Sequence, residues 1–134
     1  MKRDSRAPFA LDQHSGVPAY RQIIDQVLGG IASGALHPGE QLPTVRQLAV
    51  DLAINPNTVV RAYRELEIRG VLSTQQGTGT FLTDKKPPVD GRDRERRIAQ
   101  LCGELLSKAG AEGIELSAII EYLNELQHES GRRT

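Results

Sequence analysis

The 134-residue sequence predicts a mainly α-helical chain that carries one small β-hairpin. Apolar residues recur at three- and four-residue steps in five segments, which is the spacing of amphipathic helices. Between the third and fourth segments, two short β-prone runs flank a glycine-containing loop, which is typical of a hairpin. Adjacent prolines follow at Pro87-Pro88, where regular structure is difficult to continue. We therefore expect three helices and a hairpin, then a break, then two more helices.

The first helix is expected to follow a flexible, polar lead-in over residues 1–16. The helix begins at Val17-Pro18, because proline suits a first helical turn. It ends at Ser33-Gly34, since glycine favours the left-handed conformation that closes helices. The residues of its predicted apolar face are Tyr20, Ile23, Ile24, Val27, Leu28 and Ile31.

The second and third helices are predicted to form a helix-turn-helix. A Pro-Gly turn over residues 36–40 precedes Thr44, a good N-cap for the second helix. Asn55 is predicted as the N-cap of the third helix and Pro56 as its first residue. Because the break between the helices is so short, they must cross at a large angle. Their inner faces are predicted to comprise Val45, Leu48, Ala49, Leu52, Val59, Ala62, Tyr63 and Leu66.

The hairpin is predicted from residues 71–75 and 80–83, after Gly70 ends the third helix. Its glycine-containing loop lacks the Gly-Lys-Ser/Thr ending and the following helix of a phosphate-binding P-loop, which favours a hairpin turn. Three helices followed by a hairpin make a winged helix-turn-helix, which we assign to residues 17–84, with a linker at residues 85–89.

Two leucine-rich helices are predicted in residues 90–128, with Gly110 and Gly113 at the turn between them and a frayed tail over residues 129–134. An antiparallel pairing of the two would leave a shared apolar edge, which a second copy of the chain would cover in a four-helix arrangement. In the alternative, both helices pack back on their own winged domain. The predicted dimer-interface residues are Ile98, Leu101, Leu105, Leu106, Leu116, Ile119, Ile120 and Leu123.

Composition excludes several classes of function. The 17 basic and 17 acidic residues balance, which argues against a large nonspecific polyanion-binding surface but allows a local basic face. Aromatic residues are too few for stacking platforms that bind single strands. Scattered histidines and the lone Cys102 indicate no metal site, no cofactor and no catalytic constellation, so we do not expect an enzyme.

Cys102 lies on an apolar helical stripe, which favours a buried structural thiol over a redox sensor. A single cysteine forms no internal disulfide and suits a reducing cytosol. The sequence shows neither a signal peptide nor a run of 18 apolar residues. We therefore expect a cytoplasmic protein without a membrane partner.

The outer face of the third helix is polar and basic, with Asn57, Thr58, Arg61 and Arg64, and with Val60 at its margin. Such a face at a helix N-terminus can enter the major groove of DNA. Asparagine can pair with adenine, and arginine with guanine or phosphate. The alternative is that Arg61 and Arg64 belong to an ordinary solvated face.

The sequence resembles the GntR family of bacterial regulators over residues 17–83. The resemblance rests on four stretches, residues 18–23, 34–49, 55–67 and 77–81. The third begins Asn-Pro-Asn-Thr at Asn55–Thr58, and this step, together with the short C-terminal pair of helices, indicates the YtrA-like subfamily.

The resemblance implies a sequence-specific repressor that binds double-stranded DNA as a homodimer on a palindromic operator and controls neighbouring transporter genes. It also implies DNA contacts by Arg46, phosphate proximity of Thr58, and a wing tip that reaches the minor groove. Two arginines common in the family are replaced by Pro56 and Val60, so those contacts do not carry over. The full set of candidate DNA-binding residues is Thr44, Arg46, Asn55, Asn57, Thr58, Arg61, Arg64, Gln76, Gly77 and Thr78.

Two other functions compete with this one. A winged domain used only as a protein-interaction module would favour aromatic anchors over a basic, polar face. A regulator fused to an enzyme needs a second large domain, and the 47 residues from Pro88 onward are too few for one. The sequence leaves open a small-molecule effector, for which two short helices offer little room unless the pocket forms between subunits.

Overall fold

The computed structural model describes residues 9–84 and 91–133, with only the backbone for residues 131–133. The chain divides into two compact units, Met1–Lys85 and Lys86–Thr134. The predicted linker, residues 85–89, and residues 1–8 of the predicted lead-in lie outside the described residues.

The first unit is a winged helix-turn-helix, which confirms the predicted mainly helical fold with a small β-sheet. Three helices precede a pair of antiparallel strands, and one short strand lies between the first two helices. In chain order the elements are α1 (Ala19–Ser33), β1 (Gln41–Leu42), α2 (Val45–Leu52), α3 (Pro56–Ile68), β2 (Leu72–Gln75) and β3 (Gly79–Leu82).

The helix ends follow from local side-chain chemistry. Thr44 caps α2: its Oγ1 accepts a hydrogen bond from the Gln47 backbone N–H at 3.1 Å, and the Gln47 side chain accepts one from the Thr44 N–H at 2.9 Å. Asn55 caps α3, where its Oδ1 accepts from the Asn57 N–H at 2.8 Å and Pro56 is the first helical residue. Each cap contributes about 1 kcal/mol to stability. The two predicted N-caps are therefore confirmed.

The core of the first unit is formed where α1 and α2 pack against α3, and where α3 packs against β2. The four inner residues predicted for α3 are all buried, whereas Ile31, predicted on the apolar face of α1, is exposed. The Tyr63 hydroxyl donates a buried hydrogen bond to the Pro43 carbonyl at 2.7 Å, and burial raises the pKa of Tyr63. The buried cluster comprises Ile23, Ile24, Val27, Leu36, Leu42, Leu48, Ala49, Val59, Ala62, Tyr63, Leu66, Leu72 and Leu82.

The sheet has three antiparallel strands in the order β1-β3-β2, rather than the two predicted. Phe81 of β3 lies opposite Gln41 on one side and Ser73 on the other. The strand β1 was not predicted, because two residues are too few to show a period-two pattern. Its Leu42 is buried, so the short strand joins the sheet to the core.

Residues 9–16, predicted as part of a flexible lead-in, are instead held against the core of the first unit. Phe9 and Leu11 are partly buried against the core. The Gln26 side chain accepts a hydrogen bond from the Ala10 N–H at 3.1 Å, and that of Gln22 accepts one from the Asp12 N–H at 2.8 Å. Apolar contact and two amide side chains of α1 together hold this segment.

The second unit consists of two helices, α4 (Gly91–Ala111) and α5 (Leu116–Arg133). They are joined by a turn in which Gly113 has φ 74° and the Ile114 N–H donates to the Ala109 carbonyl at 2.8 Å. Gly110, predicted in the turn, lies in the last turn of α4. The frayed tail predicted from residue 129 is helical to Arg133, so α5 is longer than predicted.

Among the described residues, α4 and α5 do not pack along each other. Their predicted interface residues are therefore exposed in the single chain, except Ile119, which is half-buried. The predicted antiparallel pairing does not form within one chain. Cys102 is exposed on the same uncovered stripe, so the prediction of a buried thiol is wrong for the single chain.

Neither of these helices nor any other in the described part of the chain has the length and apolar character needed to cross a membrane.

Candidate nucleic-acid interface

The exposed face of α3 forms a shallow groove opposite the buried face of the helix. The 3.6-residue helical period places Asn57, Arg61 and Arg64 on this face, while Val59, Ala62 and Leu66 point into the core. Thr58 is half-buried at its edge. Three predicted DNA-binding residues thus share one surface. The residues that line the groove are Asn57, Val60, Arg61, Arg64, Glu65 and Ile68.

The other predicted residues lie at two further exposed places of the same unit. Thr44 and Arg46 lie at the start of α2, and Gln76, Gly77 and Thr78 form the turn between β2 and β3. The Thr44 hydroxyl and the Asn55 amide oxygen are engaged as helix caps. They therefore hold the N-termini of α2 and α3, whose free N–H groups and dipoles favour phosphate.

Ion pairing separates two groups of arginines in this unit. Arg21 pairs with Asp25 at 3.6 Å, and Arg69 pairs with Glu65 at 3.3 Å, both one helical turn apart. The exposed Arg46, Arg61 and Arg64 have no carboxylate partner within residues 9–84 and 91–133. Their N–H donors are therefore available to an external anion such as a DNA phosphate.

Arg61 has an aromatic neighbour in α1. Its guanidinium carbon lies 3.8 Å from the centroid of the Tyr20 ring, which is the geometry of a cation–π contact. Tyr20 is predicted from the sequence as a core residue rather than a stacking platform. In the structure it lies half-buried at the margin of the core, where its ring contacts the cationic side chain of Arg61. Residue spacing along the sequence does not predict this contact, because the contact depends on how α1 packs on α3.

The wing turn is held by its own hydrogen bonds and by one side chain of β1. The Thr78 N–H donates to the Gln75 carbonyl at 3.0 Å, and the Thr78 hydroxyl donates to the same oxygen at 3.1 Å. The Gln41 Nε2 donates to the Thr78 carbonyl at 3.1 Å. A Cβ at Gly79 would lie 2.5 Å from that Nε2 and would displace the end of the Gln41 side chain, and the φ of 130° at Gly79 itself favours glycine. Gln41 was not predicted as part of the site, because it belongs to β1, which the sequence pattern does not reveal.

The chemistry of this surface is that of binding. Its functional groups are guanidinium, amide, hydroxyl and backbone N–H donors, and its one carboxylate in the groove of α3, that of Glu65, is paired with Arg69. The described ranges contain no group of three or more His, Cys, Asp or Glu side chains placed to hold a metal ion. Donors at two helix N-termini, with unpaired arginines beside them, match the charge and the acceptors of a nucleic-acid backbone.

Comparison with known proteins agrees with this chemistry. Residues 19–82 match the model of the gntR family of bacterial regulatory proteins. The HTH-type transcriptional repressor YtrA of Bacillus subtilis (strain 168) is 34% identical over 116 residues, which are 87% of this chain and 89% of that protein. Similarity therefore extends beyond the winged domain into the C-terminal helices.

Two solved structures are similar in fold. A GntR family transcriptional regulator from Listeria monocytogenes is 32% identical with a TM-score of 0.54, and the alignment covers 83% of this chain and 96% of that chain. The AraR DNA-binding domain in complex with operator ORX1 is 26% identical with a TM-score of 0.51, covering 56% of this chain and 95% of that chain. By its winged helix, its donor-rich surface and these similarities, the chain belongs to the GntR family and is a DNA-binding transcription regulator.

Proposed function

We propose that the chain is a repressor that binds a palindromic operator as a homodimer, with α3 in the major groove and the wing turn at the minor groove. The observation that carries this proposal is the set of three exposed arginines, Arg46, Arg61 and Arg64, without carboxylate partners in the described structure. The similarity to the AraR domain, which is bound to its operator, supports the same docking of the winged domain.

Base reading is assigned to the groove of α3. Asn57 suits adenine, and Arg61 and Arg64 suit guanine or phosphate. Val60, which lines the same groove, suits the methyl group of thymine. Because Pro56 and Val60 replace arginines common in the family, the operator differs from those that such arginines read.

Positioning on the backbone is assigned to the surrounding groups. Arg46 and Thr58, together with the capped N-termini of α2 and α3, contact phosphates. Gln76 and the backbone at Gly77 reach the minor groove or its phosphates, since the Thr78 donors are already engaged within the turn. These contacts fix the register of α3 on the duplex but read little sequence.

The dimer is assigned to α4 and α5. In the single chain Leu101, Leu105 and Leu123 are 48%, 44% and 50% exposed, although they lie on continuous apolar stripes. An apolar surface of this kind is stabilised by burial against a partner. A second copy that covers both stripes would form a four-helix arrangement, and its two-fold symmetry requires a palindromic site.

The proposed targets follow from the likeness to the YtrA-like group, which implies control of neighbouring transporter genes. A repressor that binds operator DNA in a bacterium acts in the cytoplasm, so we assign the chain to that compartment. Deleting the gene should raise the transcripts of its target genes, and unchanged transcript levels of neighbouring transporter genes would reject this assignment.

A mobility-shift assay with DNA from upstream of its own gene tests the DNA-binding surface. Arg61→Ala should weaken binding by about 1–3 kcal/mol, as expected for the loss of a base contact, and Arg46→Ala should weaken binding to all sequences by a similar factor, as expected for the loss of a phosphate contact. Arg21→Ala is a matched control, because Arg21 is exposed but already paired with the carboxylate of Asp25, outside the groove of α3. Wild-type binding by the Arg46→Ala/Arg61→Ala double variant would overturn the placement.

A further inference from the structure

Tyr20 lies in the first turn of α1, outside the surface assigned to DNA, yet it contacts that surface through one residue. The Arg61 guanidinium stacks on its ring at 3.8 Å from the centroid. The ring is partly buried against the core, and α1 packs on α3. Packing within the folded chain therefore holds the Tyr20 ring in place.

Stacking leaves the hydrogen-bonding capacity of the arginine intact. A guanidinium stacked on an aromatic ring presents its flat face to the ring and keeps its five N–H donors at its edge. A free arginine side chain samples many rotamers and loses that freedom on binding. An arginine already confined to one plane loses less when it meets a phosphate or a base.

We propose that Tyr20 is a positioning residue for DNA binding, which holds the Arg61 guanidinium with its donor edge available to the duplex. This inference rests on the proposed role of Arg61 as a DNA contact. Through Tyr20, α1 affects the affinity for DNA without contacting a base itself. Tyr20 acts through Arg61 alone, since Arg46 and Arg64 have no aromatic ring stacked on them within the described residues.

A double-mutant cycle tests the inference on the full chain. The variants are Tyr20→Leu, Arg61→Ala, their combination, and Tyr20→Phe, which keeps the aromatic face. The probe is a labelled duplex selected with the wild-type protein from a random-sequence pool, and Kd is measured by fluorescence anisotropy. Urea unfolding of each variant checks that its folded fraction equals that of the wild type.

Tyr20→Leu should weaken binding about two- to fivefold, the range of an exposed cation–π contact, and Tyr20→Phe should bind as wild type. In the Arg61→Ala background Tyr20→Leu should have no further effect, because the residue it positions is absent. A purely structural role would instead reduce affinity equally in both backgrounds, which would overturn the inference. Wild-type affinity of Tyr20→Leu would also overturn it.

The binding data would differ if Arg61 were not a DNA contact at all. If Arg61→Ala binds the selected duplex as wild type does, Arg61 is not a DNA contact, and both the contact and its positioning are rejected. If Arg61→Ala is weak but additive with Tyr20→Leu, the contact stands and only the positioning is rejected.

A spectroscopic measurement keeps the test valid even if Tyr20→Leu impairs folding. In the wild-type protein the ring current of Tyr20 should shift the side-chain resonances of Arg61 upfield, and this shift should persist when the selected duplex is bound. Loss of the shift on DNA binding would show that Arg61 leaves the ring to reach the duplex, which contradicts the inference.

Discussion

At the scale of single residues, the turn between α2 and α3 has an unusual backbone. Ala53, with φ 56° and ψ 47°, is left-handed, and the other positive φ angles of the described residues belong to glycines. A side chain in this conformation costs about 1 kcal/mol. This cost is offset because the Ala53 N–H donates hydrogen bonds to the carbonyls of Ala49 and Val50 at the C-terminal end of α2.

Ala53→Gly should therefore raise the free energy of unfolding by about 0.5–1 kcal/mol, since glycine adopts this conformation without the steric cost. Urea denaturation of the full chain measures the change. Ala32→Gly, at an exposed site in the last turn of α1, is the control and should lower stability. Equal destabilisation by both substitutions would contradict the account of the turn.

Tyr63→Phe should lower stability by about 1–2 kcal/mol, because it leaves the Pro43 carbonyl without its buried donor. Burial raises the pKa of Tyr63 in the folded state above the value of about 10 for an unfolded chain. The contribution of the neutral phenol is thus complete below pH ~10 and is lost as pH rises through the folded-state pKa.

Thermal unfolding measured between neutral pH and pH ~11 tests this assignment. The wild type should lose stability at the alkaline end more steeply than Tyr63→Phe. Tyr122→Phe is a matched control, because Tyr122 is exposed on α5 and its loss should leave the profile unchanged. Identical alkaline profiles for wild type and Tyr63→Phe would contradict it.

At the scale of elements, we expect the wing to contact DNA without reading much of its sequence. Its turn is braced by Gln41, and Thr78 is engaged internally. Shortening the loop around Gln76 should reduce affinity by a similar factor on a selected operator and on unrelated duplexes, because backbone and phosphate contacts hold little sequence information. Competition binding measures both affinities, and a changed base preference would show that the wing reads sequence.

Local signals predicted the elements that position the site. Asn55 and Pro56 specify the start of α3 by their own chemistry, and the helical period separates its buried from its exposed face. Contacts between distant segments gave no such signal. The strand β1, the packing of Phe9 on the core, and the stacking of Arg61 on Tyr20 depend on which elements meet in three dimensions.

At the scale of the whole molecule, the same limit applies to α4 and α5. The apolar period predicted the stripes correctly, but it does not predict which surface covers them. Among the described residues, the predicted pairing of α4 with α5 within one chain does not form. Because the stripes are exposed in the single chain, charges introduced there cost little folding energy unless a partner buries them. This property allows a direct test of the proposed dimer.

Leu101→Glu/Leu105→Glu should convert a dimer into a monomer in sedimentation velocity and weaken operator binding, while the winged domain remains folded. Ser107→Glu, an exposed residue half a helical turn away from the stripe, should leave both unchanged. Truncation after Pro88 should likewise give a folded monomer. A truncated chain that sediments as a dimer and binds normally would show that α4 and α5 do not form the interface.

Selection of bound sequences from a random DNA pool with the full chain tests the central claim most directly. A dimer that reads DNA through α3 should enrich inverted repeats whose half-site centres lie one duplex turn, about 10–10.5 base pairs, or a multiple apart. The Arg46→Ala/Arg61→Ala double variant should not enrich them. Enrichment of a single, unrepeated motif, or of the same repeats by the double variant, would contradict a dimer that reads DNA through α3.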